Sequence, residues 1–378
     1  MCMKGNILMM DQDKISAFLA DFFKDLSYVR KVQWNYEDAC ILLAAIQLYE
    51  ATNDSKYRQY VLDYLDHYID PEGIINTFKK YDYNLDNLAM GRVVIFAYEQ
   101  TNEERFFKAM HNLLAQIQEQ PRTKSGNFWH KKIYPNQIWL DGLFMAQPFY
   151  MAYETKFGVQ ENYQDIVRQF NNVKDYMFDE NEGLYYHGFD ESREVFWANE
   201  KTGLSKNFWL RSIAWFLMGI VDTMEEISNP MDECFKTLAK IYEESIRGIL
   251  RYQDENSKMF YQLVNLPDVK GNYFETSGTV MIAASILKAC RMKVIPTEYR
   301  AIGEEILRVI IEEKLHRIDD KLILKDTCKV AGLGPHDNLK RDGSIEYYLT
   351  EPIGNNDLKG VAALFMAYAQ YLKISKCL

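Results

Sequence analysis

The chain has little with which to build a metal cluster or a disulfide framework. Its six cysteines, Cys2, Cys40, Cys234, Cys290, Cys328 and Cys377, stand far apart with no Cys-x-x-Cys pair, and read as reduced, mostly core thiols of a cytoplasmic protein. The six histidines include no His-Glu-x-x-His pair. Gly-x-x-x-x-Gly-Lys, Gly-x-Gly-x-x-Gly after a strand and Gly-x-Ser-x-Gly are also missing, so neither a metal nor a cofactor is expected. Long apolar runs are absent: nowhere do about 18 such residues follow one another. The stretch from Ile7 to Met10 stops at Asp11, too short for a secretion signal. Positive charge is in deficit, 44 Lys+Arg against 54 Asp+Glu for a net −10, which works against phosphate backbones and anionic lipid. No membrane and no nucleic-acid partner is expected.

What is present is a globular composition, 48% hydrophobic and 26% charged, patterned almost throughout with helical period. Eight of the nine prolines fall between periodic segments, and Pro148 alone lies inside one, where a kink is expected. About twelve helices alternate in character. One of mixed polarity spans 13–28. Apolar ones span 37–52, 86–101, 139–155, 208–226, 276–291 and 357–373, and amphipathic ones 54–69, 103–118, 161–178, 230–252 and 296–314. A weak repeat marks helix ends: Tyr49-Glu50-Ala51-Thr52-Asn53, Tyr98-Glu99-Gln100-Thr101-Asn102 and Tyr153-Glu154-Thr155. Six buried helices, each paired with a surface helix, predict an all-α (α/α)6 barrel, a single domain over 1–378. An open solenoid would need capping repeats. In the closed ring all inner helices point one way, so their N-termini meet at one mouth.

The residues opening the apolar helices are Trp34 to Asp38, Tyr83 to Asn87, Gln137 to Asp141, Asn207 to Arg211, Glu275 to Gly278 and Glu351 to Asp357. Asp, Asn and Ser at such positions are ordinarily N-caps, but capping does not account for the tryptophans, all six of which (34, 129, 139, 197, 209, 215) lie in or near these openings. Flat rings interleaved with hydrogen-bonding groups suit a sugar. Asp141 is set among Trp139, Leu140, Leu143 and Phe144; burial would raise its pKa and the helix N-terminus would lower it. Arg211, inside an apolar helix, needs an anion, either an internal carboxylate or a bound one.

The ordered set His130-Lys131, Pro135 to Ala146, Asn207 to Trp215, Glu275-Thr276-Ser277-Gly278, Tyr347-Tyr348-Leu349 and Asn356 to Gly360 resembles the unsaturated rhamnogalacturonyl hydrolases of glycoside hydrolase family 105. The resemblance implies an (α/α)6 barrel that removes a 4,5-unsaturated uronic acid from the non-reducing end of short acidic oligosaccharides. By resemblance, Asp141 matches the general acid/base and Asp86 the second carboxylate. Tyr36, His130, Lys131, His187, Trp209 and Arg211 match substrate-pocket residues. In that scheme the donor is held protonated, which apolar packing at Asp141 and the like charge of Asp86 favour. Lys131 or Arg211 meets the substrate carboxylate, and Trp209 and Trp139 stack on sugar rings. Competing readings are an unsaturated glucuronyl hydrolase acting on glycosaminoglycan fragments, a sugar epimerase using His130 and His187, and a non-catalytic carbohydrate-binding helical protein.

Overall fold

The computed structural model describes residues 10–29 and 32–376; Cys2, Cys377 and residues 7–9 of the N-terminal apolar stretch lie outside them. Along the chain run α1 (Gln12–Phe22), α2 (Tyr36–Thr52), α3 (Ser55–Tyr68), a 3-10 stretch (Leu85–Met90) continuing into α4 (Gly91–Thr101), and α5 (Glu104–Glu119). They are followed by α6 (Leu140–Lys156), α7 (Tyr163–Met177), α8 (Leu210–Glu225), α9 (Glu233–Leu250), α10 (Thr276–Arg291), α11 (Tyr299–Val309), the short α12 (Ile345–Thr350) and α13 (Leu358–Lys376).

Helices α2, α4, α6, α8, α10 and α13 form a closed inner ring in that order, with α13 returning to pack on α2. They are buried on nearly every side, as in α10, where Thr276 to Cys290 are all buried. Helices α3, α5, α7, α9 and α11 each lie outside the inner helix that precedes them. Helix α1 completes the outer layer by setting Phe18 and Phe22 against Phe365 of α13, each at 5.4 Å. The outer helices bury one face only, in α9 the stripe Phe235, Leu238, Ile241, Tyr242, Ile246 and Ile249. This is the (α/α)6 barrel that the alternating polarity predicts.

The repeat at the helix ends is a stop signal. Asn53 and Asn102 adopt left-handed backbone (φ 59° and 56°) just past α2 and α4, and their N–H groups return to Tyr49 O at 2.7 Å and Tyr98 O at 2.8 Å. Thr52 and Thr101 donate to carbonyls one turn back and accept from Asp54 N and Glu103 N, which turns the chain into the outer helix. Several boundaries differ from expectation. Helix α1 stops at Phe22. The segment expected as helix from 86 begins as 3-10, and α11 ends in a π turn (Ile310–Lys314) followed by a hairpin. Helix α6 runs through Pro148 to Lys156.

Short antiparallel ribbons, absent from the sequence reading, organise the loops. They are β1 (Gln137–Trp139) with β4 (Gly188–Asp190), β2 (Phe178–Asp179) with β3 (Leu184–Tyr185), β5 (Leu315–Ile318) with β6 (Lys321–Leu324), and β7 (Thr327–Cys328) with β8 (Ile353–Gly354). Deeper in the ring, Asp222 accepts from Arg92 Nη1 and Lys288 Nζ, each at 2.6 Å, and Lys288 also reaches Glu225 at 2.6 Å. A cavity of about 90 Å3 opens beside this cluster, between Glu50, Arg92, Glu99, Lys156 and Glu226.

Candidate active site

Two ladders set the mouth. In the β1–β4 pair Trp139 faces Gly188, and Leu140 N donates to His187 O at 3.2 Å, so the start of α6 and the His187 loop are fastened together. In the loop before β1, His130 N donates to Gln137 O at 2.9 Å while Leu85 N donates to His130 O at 3.1 Å, tying the His130 loop to the 3-10 stretch that carries Asp86. The backbone therefore delivers two carboxylates, each with its own imidazole. Nε2 of His187 lies 3.3 Å from Asp141 Oδ2, in contact but without hydrogen-bond alignment, and Nε2 of His130 lies 3.5 Å from Asp86 Oδ1. The Trp139 ring separates the two imidazoles, stacked on His130 at 4.4 Å and edge-on to His187 at 5.5 Å.

The electrostatics correct one expectation. Burial pushes the Asp141 carboxyl up, but the neighbouring His187 imidazole, with a smaller contribution from His130, outweighs burial and leaves it below the ordinary carboxylate range. Asp86 does not act as an uncompensated like charge, because Lys131 Nζ sits 2.6 Å from its Oδ2. Burial opposes the charge on Lys131, and Asp86 more than offsets it, so the ammonium is held above its usual pKa. Burial lowers His130 to about 4, which makes it a neutral imidazole at neutral pH.

The remaining expected residues converge on the same mouth in different states. Arg211 is 2% exposed; its Nη1 donates to Ser277 Oγ at 3.2 Å and to Cys328 O, lies 4.0 Å from Glu275, and the guanidinium covers Trp209 at 4.9 Å. Its anion is thus an internal one, Glu275, whose carboxylate also caps α10 through Ser277 N and Gly278 N. Tyr36, at the start of α2, lies within the field of both Asp86 and Arg211, with burial pushing its hydroxyl well up. Trp209 is 1% and Trp139 6% exposed. His187 and Tyr348 pack against the Trp209 ring, while His130 and Tyr134 pack against Trp139. Both indoles thus pack against imidazoles and stand little open to solvent. Their N–H groups are spent internally, on Gln262 Oε1 and Gln137 Oε1 at 3.1 Å each.

One member had no role in the sequence reading. The Tyr348 hydroxyl is 2.6 Å from His187 Nδ1, and burial keeps that phenol un-ionised. Its signal in the sequence is the Tyr347-Tyr348 pair. Among the described residues no group of three or more His, Cys, Asp or Glu is placed to hold a metal ion, and no helix is long and apolar enough to cross a membrane.

A closed double ring of helices with two carboxylate–imidazole pairs and two cations, Lys131 and Arg211, at one mouth defines the class: an (α/α)6 barrel with the makings of an acid/base site. Residues 17–375 match the model of Glycosyl Hydrolase Family 88, and the chain belongs to that family. It is similar to a solved family 105 glycoside hydrolase from C. acetobutylicum ATCC 824, at 36% identity and TM-score 0.89 over 96% of this chain and 99% of that one. It is 20% identical over 293 residues (75% of this chain, 79% of the other) to the unsaturated rhamnogalacturonyl hydrolase YesR of Bacillus subtilis strain 168. The unsaturated glucuronyl hydrolase of Bacillus sp. GL1 shares the fold, at 13% identity and TM-score 0.61 over 94% of this chain and 93% of that one. The chain is thus a glycoside hydrolase of the family 88/105 type, which sets aside the epimerase and non-catalytic readings.

Proposed function

We propose that the protein releases 4,5-unsaturated galacturonate from the non-reducing end of short rhamnogalacturonan-type oligosaccharides. Asp141 delivers a proton to C4 of the vinyl ether and water adds at C5. The resulting hemiketal opens the ring, and the hemiacetal left at C1 expels the aglycone alcohol. A paired nucleophile of the ordinary retaining kind is not needed. The observation that carries the reading is the Asp141–His187 contact at 3.3 Å beside a second, lysine-paired carboxylate, Asp86.

The His187 imidazole holds the Asp141 carboxyl below the ordinary carboxylate range in the free protein, so its proton is secured only when substrate binding raises it. The substrate's own carboxylate and the exclusion of water add to the burial that already favours the neutral acid. Asp86, fixed by Lys131, orients the attacking water, and Tyr36, His130, Trp139, His187, Trp209 and Arg211 shape the uronate site. A disaccharide-sized, acidic substrate suits a cytoplasmic enzyme that finishes lyase products.

The test is loss of the ultraviolet absorbance of the conjugated double bond, with chelator present, on an unsaturated galacturonyl-rhamnose disaccharide beside an unsaturated glucuronyl disaccharide. Decay on the first alone is expected. Decay on the second alone keeps the chemistry and moves the substrate to the glucuronyl class, and decay on neither removes the reading.

A further inference from the structure

Behind His130, on the side away from Asp86, lies a small cavity of about 10 Å3, the space one water occupies. Three buried polar atoms without a protein partner belong to residues lining it: His130 Nδ1, Gln147 Oε1 and Gln169 Nε2. Gly142 of α6 leaves the room, since a Cβ there would come within 3.1 Å of Nδ1. The orientation of the Gln169 amide is not free. Phe128 N donates to its Oε1 at 3.1 Å, so its Nε2 must be the group turned to the other side.

We propose that this cavity is a one-water site, and that the water, taking one hydrogen bond from Gln169 Nε2 and giving two, to Gln147 Oε1 and His130 Nδ1, holds His130 as the tautomer whose Nε2–H faces Asp86. The count closes: one donor and two acceptors around a water that has two protons to give. The opposite tautomer would take one of the water's two protons out of use and, decisively, would turn a bare Nε2 lone pair toward the Asp86 carboxylate 3.5 Å away. Because burial keeps the ring neutral, one nitrogen must go without a proton, and the question of which has a definite answer. Gln169, on the outer helix α7, is thereby a positioning residue for a histidine at the mouth, and the polarity of its amide comes from the backbone at Phe128.

The tautomer does not depend on the reaction, whereas its effect on turnover rests on the function proposed above. The experiment is nitrogen NMR of the full-length protein carrying 15N-histidine at neutral pH, with His130 assigned as the signal missing from His130→Asn. A protonated Nε2 and a bare, hydrogen-bonded Nδ1 are expected. A protonated Nδ1 overturns the proposal, as does a high-resolution crystal structure of the wild type with no water within hydrogen-bond reach of the three atoms. In Gln169→Leu, with melting temperature followed separately, the single tautomer should give way to a mixture, with kcat down about tenfold and KM within about twofold. An unchanged tautomer in a folded Gln169→Leu removes Gln169 from the argument and with it the proposal. If the expected tautomer appears and the enzyme turns over no unsaturated uronide, the proposed reaction fails and the water site stands.

Discussion

At the scale of single residues, each mouth histidine is held from behind. His187 has the Tyr348 hydroxyl on its Nδ1, and both imidazoles turn Nε2 to a carboxylate. Asp141→Asn keeps shape but carries no transferable acid proton, so turnover should fall by about 10²–10⁴-fold with the helical fold intact; activity near wild type would remove Asp141 from the chemistry. Because the Asp141 carboxyl sits low in the free protein and must be protonated to act, kcat/KM should rise as pH falls toward its pKa. The corresponding limb of kcat should lie at higher pH, since bound substrate raises the group. Coincident limbs in a pH–rate series would contradict this. Lys131 neutralises Asp86 rather than waiting for the substrate, so Lys131→Ala should lower kcat as well as raise KM. Arg211→Lys keeps the charge but loses the flat contact with Trp209, and should act mainly on KM. Asp141, Asp86 and their histidines were legible because carboxylates and imidazoles at apolar helix starts are costly without a purpose. Gln169 and Gln147 were not, because a buried glutamine on a helix looks like any other polar residue until its neighbours are known.

At the scale of elements, helix identity was readable almost everywhere, since burial on all sides or on one side writes itself into polarity. The ends were less so. The segment leading into α4 opens with six residues of 3-10 helix, and the ribbons at the mouth are two to four residues long, too short for period-2 patterning to register. Close approach of α4 to α6 depends on Gly91, where a Cβ would fall 2.2 Å from Phe149 Cγ. Gly91→Ala should therefore cost about 1–3 kcal/mol in denaturant unfolding, against the usual helix-favouring gain of that exchange. The stop signal is testable in the same way. Asn53→Val, forcing a β-branched residue to φ 59°, should destabilise by about 1–2 kcal/mol, whereas Asn53→Gly should be close to neutral.

At the scale of the whole molecule, the lower half of the ring is held by charge as well as by packing. Asp222 is 1% exposed, and burial, which raises it, is outweighed by Lys288 and Arg92, leaving it below the ordinary range. Its contribution to stability is fully present above the unfolded carboxylate pKa of about 4 and is lost as pH falls through the folded value. The melting temperature should drop below pH about 4. Asp222→Asn should cost about 3–5 kcal/mol at neutral pH, because it leaves Arg92 in the interior without its counter-charge and Lys288 with Glu225 alone, and should flatten the acid limb. A variant with wild-type stability would show that the cluster is idle.

The ring closes where its first inner helix meets its last. Lys359 of α13 reaches Glu37 of α2 at 2.6 Å, and Gln370 reaches Gln47 at 2.9 Å, across some 320 residues of sequence. During synthesis α2 leaves the ribosome early, with apolar surface on every side, and waits for its final partner until α13 has been made. At about 5–20 residues per second that interval is on the order of tens of seconds. Over that time the nascent chain must be sheltered from its neighbours, and loss of α13 alone would leave an open ring with two sticky edges rather than a smaller enzyme.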